Sequence, residues 1–166
     1  DFFPLKDDLY TYTNFLKAVG KFPHFCNEVN DEYTGLKTNA EDVDQACKRE
    51  LATLFAHIAY ESGKMDPWDA TPQYKQGLHN IAEDCADCDG VESSTRYEAV
   101  AGEQYYGRGP LNIKGNNEYG AFSDAFGPSS YDSADRFLED PDLLETDGYI
   151  AWASAIWFYM TPNFKN

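Results

Sequence analysis

Two glutamates stand out for the chemistry their settings allow. Glu61 sits in the run AHIAYESG, at the end of the strongest helical pattern in the chain, and Glu83 lies in QGLHNIAEDC, inside a stretch without period. A carboxyl on a rigid helix end and another on a loop suit cleavage of a glycosidic bond. One must be protonated to donate to the leaving oxygen, and the other ionised to activate water. The chain has 29 acidic residues, so the pair alone selects little, and each glutamate also reads as an ordinary solvated acid. The segment YYGRGPLNIKGNNEYG (105–120) is more specific. Two glycines around an arginine, then a proline, fix a tight backbone that a polymer could approach closely. Tyr105, Tyr106 and Tyr119 offer flat faces and hydroxyls, and Asn112, Asn116 and Asn117 offer amides. The structural alternative is a turn packed by core tyrosines, with the amides satisfying loop backbone.

The elements that must hold these residues read as helices. Residues 5–19 place Leu5, Leu9, Tyr12, Leu16 and Val19 at helical spacing. After a loop with Gly20, Pro23 and Gly35, a helix over 39–62 is expected, with Asn39 as N-cap. Its apolar stripe runs through Val43, Cys47, Leu51, Leu54, Phe55 and Ile58 to Glu61, and Gly63 closes it. Periodicity then fails from Lys64 to Gly102. Short helices are expected over 117–126 and 133–138. A last helix, from near Thr146 to Met160, is apolar almost all round and belongs at the centre, with Pro162 ending it. The two long helices should pack together, burying Leu54, Phe55, Ile58, Trp152, Ile156 and Tyr159. The fold class is mainly α, in a single domain.

Composition narrows the partners. Thirteen basic against 29 acidic residues give a formal charge of −16, which repels nucleic acid, anionic membranes and anionic polysaccharides. Aromatics are 16% of the 166 residues, far from a disordered composition. Neutral sugars are compatible with both. No run is long enough to cross a membrane. The chain opens on Asp1 and lacks a leader pattern, as expected of a chain that has lost a signal peptide or has been trimmed. Four cysteines suit two disulfides and an extracellular setting. Of three connectivities, Cys26–Cys47 with Cys85–Cys88 is preferred. Cys85 and Cys88 have metal-like spacing but no second pair, and Asp84, Asp87, Asp89 and Glu92 lack the strict pattern of a calcium loop, so no metal is expected.

Taken together, these motifs resemble the family 19 glycoside hydrolases, the plant-type chitinases and their bacterial and endolysin relatives. The marks stand here as Tyr60-Glu61-Ser62, Gly77 followed by Glu83, YYGRGP (105–110), Asn116 to Gly120, Asp140-Pro141-Asp142-Leu143, and WFYMTP (157–162). Order and rough spacing hold across about residues 47–162. The resemblance implies a lysozyme-like, two-lobed fold with a glycan-binding cleft, and residues 1–166 as one catalytic domain, C-terminally incomplete relative to the family. It implies hydrolysis of β-1,4-linked N-acetylglucosamine polymers, with inversion, no cofactor and no metal. By residue match Glu61 is the general acid and Glu83 the general base, while Tyr60, Tyr105, Tyr106, Arg108, Asn112, Lys114, Asn116, Glu118 and Tyr119 take substrate-binding positions.

The chain departs from the family pattern at four places: Tyr60 for His, Asn112 for Gln, Lys114 for Ser or Thr, and Glu118 for Asn. Two readings follow. The first is a secreted, inverting endo-chitinase or chitinase-like muramidase acting on chitin or a related N-acetylglucosamine polysaccharide. The second is a non-catalytic chitin-binding or structural relative, in which Lys114 and Glu118 have displaced groups that hold water and sugar.

Overall fold

A computed structural model describes residues 2–26, 40–85, 88–93, 96–131 and 133–161. Among them run six α-helices: α1 (Tyr12–Val19), α2 (Ala40–Glu61), α3 (Asn116–Tyr131), α4 (Arg136–Glu139), α5 (Leu143–Thr146) and α6 (Gly148–Met160). Among the described residues, the aperiodic region holds a single 3-10 turn, Gln73–Lys75. Extended pairing among the described residues is confined to isolated bridges, Ala82 with Arg108 and Arg108 with Ile113. The mainly α reading stands.

Helix boundaries correct several expectations. The first helix starts at Tyr12 instead of Leu5, because Asp7 diverts the preceding backbone. Its carboxylate accepts from the Leu9 N–H at 2.8 Å, and its own N–H donates to the Leu78 carbonyl at 2.7 Å. Thr11 then caps α1 by accepting from the Asn14 N–H. The helix expected over 117–126 runs one turn further, past Pro128 to Tyr131. The one expected over 133–138 is confined to α4, since Ser133 Oγ accepts from the Asp135 N–H and holds the chain in a turn. Thr146 ends α5, and Asp147 caps α6 by accepting from the Tyr149 and Ile150 N–H groups. The expected cap Asn39 and stop Pro162 lie outside the described residues.

Helix α6 is the central element, with Ile150, Ala151, Trp152, Ala153, Ala155 and Ile156 all buried. It packs most extensively on α1, and it meets α2 through rings. Trp152 lies 4.9 Å from Phe15 edge-on and 6.2 Å from Phe55. Leu54, Ile58, Trp152 and Ile156 are buried as expected, and Phe55 and Tyr159 are half-buried. On the other side of α6, Phe122 of α3 stacks on Phe137 of α4 at 4.5 Å and touches Trp157. Each such ring or aliphatic chain contributes about 1.5–3 kcal/mol by leaving water. Both disulfides form as expected, Cys26–Cys47 and Cys85–Cys88. No helix among the described residues is long and apolar enough to cross a membrane.

Candidate active site

Three short segments are laced together behind the candidate carboxylates. At the end of α2, Ser62 is buried and works from both ends. Its hydroxyl donates to the Ile58 carbonyl at 2.9 Å and accepts from the Leu78 N–H, while its carbonyl accepts from the N–H groups of His79 and Asn80, both at 2.9 Å. Asn80 Nδ2 donates to the Gly63 carbonyl. The carbonyls of Ser62 and Gly63, just past the helix end, are thereby bonded by the segment that leads to Glu83. That segment pairs with the next: Gly109 N–H donates to the Ile81 carbonyl and Glu83 N–H to the Gly107 carbonyl, each at 2.8 Å. Arg108 in turn exchanges two bonds with Ile113 at 3.0 Å. The turn between Arg108 and Ile113 needs Gly109, whose φ of +77° is left-handed. Gly107 leaves room for the Asn112 side chain, which a Cβ at that position would displace.

Glu61 is exposed at the end of α2. Glu83 is half-buried, and its Oε1 accepts from the Gly107 N–H at 3.0 Å. Both glutamates therefore hang from one hydrogen-bonded backbone fabric, and Glu83 is tethered by its carboxylate as well as by its main chain.

The residues assigned to substrate contact divide by burial. Tyr105, Arg108, Asn116 and Tyr119 are buried, Arg108 with only 1% of its surface exposed. Direct sugar contact by these four does not fit their placement; they hold the segment from behind. Tyr105 accepts from the Val100 N–H and donates to the Leu138 carbonyl. Asn116 accepts from the Glu92 N–H and donates to the Tyr97 carbonyl, both at 2.6 Å. Tyr60 is 72% exposed, Lys114 is exposed, and Tyr106, Asn112 and Glu118 are half-buried. Glu118 Oε2 accepts from the Lys114 N–H at 3.1 Å, which employs it as an acid at the positive end of α3. Tyr60 lines a groove of 720 Å³ with Phe2, Tyr12, Phe55 and Tyr74.

Arg108 is the hub of the interior. Its Nη1 donates to the Gln104 carbonyl at 2.8 Å and to the Tyr119 hydroxyl at 3.0 Å, and its Nη2 to Asp142 Oδ1 at 2.6 Å. Nε lies 3.2 Å from Glu145 Oε1, and the guanidinium stacks 3.6 Å from the Tyr106 ring centre. Tyr106 closes the cluster by donating to the same Glu145 oxygen at 2.9 Å. Burial alone would lower the Arg108 pKa, but the Tyr119, Glu145 and Tyr106 oxygens more than offset it, and the guanidinium is held charged. Burial raises the Tyr106 and Tyr119 hydroxyls, so both stay neutral donors.

Asp142, Glu145 and Gln104 were not assigned from the sequence. The usable signal was the i, i+3 spacing of Asp142 and Glu145 after Pro141, which sets two acids on one face of a helical turn. Trp68 was also passed over. It is 94% exposed, on a loop braced by buried Gln76, whose Nε2 donates to the Asp66 and Thr71 carbonyls. In that loop the Thr71 N–H and Lys64 pull the Asp69 carboxyl down to about 2. Among the described residues, no cluster of His, Cys, Asp and Glu is arranged to hold a metal ion.

The comparisons with known proteins agree with this architecture. The sequence model described as chitinase class I matches residues 4–166. Endochitinase 1 of Solanum tuberosum is 34% identical over 159 residues, covering 95% of this chain and 43% of that protein. Inactive chitinase-like protein 1 of Hevea brasiliensis is 32% identical over 163 residues, covering 93% and 43%. The crystal structure of a bacterial family 19 chitinase superposes with a TM-score of 0.70 at 28% identity, over 96% of this chain and 64% of that one. The chain belongs to glycoside hydrolase family 19, whose chitinases have a lysozyme-like fold. It spans less than half the length of the curated relatives it matches.

Proposed function

We propose that residues 1–166 form one catalytic domain, C-terminally incomplete relative to the family, of a protein that hydrolyses β-1,4-linked N-acetylglucosamine polymers with inversion, in a cleft between two lobes. Glu61 is the general acid and Glu83 the general base. The observation that carries this reading is the shared backbone fabric: the end of α2 is bonded to 78–80, three residues before Glu83, and Glu83 is itself tied to Gly107. The helix end carries the backbone of Glu61 and the Gly107 N–H holds the carboxylate of Glu83, the kind of positioning that a single displacement by water needs. Inversion calls for carboxyls about 6.5–9.5 Å apart, with a water between them. Tyr60, Tyr106, Asn112, Lys114 and Glu118 are the side chains left within reach of a sugar chain. A chitin chain is uncharged, so the charge of −16 does not oppose its binding. Two disulfides suit an oxidising compartment, and we place the protein outside the cell.

A second reading, a binder without turnover, draws on Glu118 being occupied as the partner of the Lys114 N–H. It also draws on relatives named as inactive chitinase-like proteins. The test is digestion of N-acetylglucosamine oligomers with the anomer of the first product followed by NMR. An α product from the β linkage supports inversion. Glu61→Gln should abolish turnover and keep binding, because the amide keeps the shape but cannot protonate the leaving oxygen. Glu83→Gln should slow turnover by about 10²–10⁴-fold through loss of water activation. A wild-type protein that binds oligomers and leaves them intact would establish the binder.

A further inference from the structure

Glu83 is held by a peptide unit that is itself held from the far side. The N–H of Gly107 donates to Glu83 Oε1 at 3.0 Å, and the carbonyl of that same peptide unit, on Tyr106, accepts from the Tyr119 hydroxyl at 2.8 Å. The Tyr119 hydroxyl in turn accepts from Arg108 Nη1 at 3.0 Å. The described peptide bonds are all trans, so carbonyl and N–H point in opposite directions from one rigid plane. Fixing the oxygen therefore fixes the direction of the N–H.

We infer that Arg108 and Tyr119 are positioning residues for Glu83, acting through the Tyr106–Gly107 peptide; this rests on Glu83 being the general base proposed above. The relay runs from guanidinium to phenol, from phenol to carbonyl, and through the peptide plane to the carboxylate. Each bond polarises the next, and a charged donor at its head strengthens the whole. Arg108 can serve as an anchor because it is itself immobilised, by Asp142 at 2.6 Å, the Gln104 carbonyl at 2.8 Å and the ring of Tyr106. Burial of Arg108 and Tyr119 excludes both from the substrate and frees them for this task. Without the relay the peptide could tilt, and Glu83 would lose the donor that fixes one of its two oxygens.

Tyr119→Phe is the decisive variant, since it removes one oxygen and keeps the ring in the core. Arg108→Lys keeps the charge but loses the fork that serves several acceptors at once. Two quantities are read: kcat and KM on N-acetylglucosamine oligomers, and the amide resonance of Gly107, with Glu83→Gln marking the direction it takes when the carboxylate is lost. Both variants should lower kcat by roughly 10–10²-fold, the cost of a misplaced reacting group, with KM within about twofold. In both, the Gly107 resonance should move in the Glu83→Gln direction. An unmoved Gly107 resonance in Tyr119→Phe overturns the relay, as does a raised KM with kcat intact, which would make these residues sugar contacts. Should Arg108→Lys fail to fold, Tyr119→Phe decides alone. Full turnover by Glu83→Gln would bring down the assignment of the base, whereas the Gly107 resonance reads the relay without any turnover.

Discussion

Tyr10 and Tyr119 show how a hydroxyl placed in the core becomes a pH-dependent part of stability. Tyr10 is 1% exposed and donates to the Asn80 carbonyl at 3.0 Å. Burial, with Asp7 and Glu145 adding, pushes its pKa far above the usual tyrosine range. Burial does the same to Tyr119, although Arg108 pulls part of the shift back. A pKa raised on folding means that the native state keeps a proton which the unfolded state releases above about pH 10. The resulting stability is complete below pH 10 and is lost as pH climbs toward the folded-state values. Each such tyrosine costs up to about 1.4 kcal/mol per pH unit in that window. Thermal unfolding followed by circular dichroism between pH 9 and 11 should therefore steepen above pH 10. Tyr10→Phe should be less stable at neutral pH, by about 1 kcal/mol for the lost hydrogen bond, yet fall less steeply above pH 10. Parallel curves for wild type and variant would rule this out.

At the scale of elements, helix starts are set by single side chains, and those side chains decide what could be read in advance. The stripe of α2 was legible because a 3.6-residue period survives in the sequence, and α6 was legible because a run apolar almost all round must be covered by a core. The start of α1 was not, because Leu5 and Leu9 fit the same period as Leu16. What breaks the helix is a bond from the Leu9 N–H to Asp7, and periodicity carries no trace of such a bond. The same limit applies to the site. The segment 105–120 was legible as a special backbone from Gly107, Gly109 and Pro110. The inward turn of Tyr105, Arg108, Asn116 and Tyr119 was open only as an alternative, since the irregular residues 105–115 have no period that assigns side chains to faces. Asn116 and Tyr119 stand in the first turn of α3, too short a stretch for a period to show. The caps offer a direct measurement. Thr11→Ala and Asp147→Ala should each cost about 1 kcal/mol in urea unfolding, through loss of the bonds to Asn14 and to Tyr149 and Ile150. Asp147→Ala should cost the more of the two, because the dipole of the longer helix also favours its charge. Two unaffected midpoints would show that packing alone sets these helix starts.

For the whole molecule, the two disulfides should differ in weight even though both are closed. Cys26–Cys47 spans a sequence separation of 21 and ties the chain after α1 to α2, whereas Cys85–Cys88 closes a separation of 3. A cross-link stabilises mainly by shortening the list of conformations open to the unfolded chain, and that gain grows with the loop it closes. Loop-closure entropy gives about 3 kcal/mol for the longer bridge and about 2 kcal/mol for the shorter one. The shorter bridge has a second, local task. It lies two residues beyond Glu83 and one before Asp89, whose carbonyl accepts from the Tyr105 N–H, so it closes the loop between two anchors on the 105–120 segment, Glu83 on Gly107 and Asp89 on Tyr105. Replacing Cys26 and Cys47 together by serine should lower the thermal midpoint more than replacing Cys85 and Cys88. On N-acetylglucosamine oligomers the order should reverse, with the Cys85 and Cys88 variant losing more of its turnover at a temperature where both remain folded. The order in stability tests the unfolded-chain argument, and the order in turnover tests whether the loop beyond Glu83 must be closed for that residue to serve as the proposed base. Equal losses of turnover in the two variants would leave the shorter bridge with a purely global role and remove it from the account of the site.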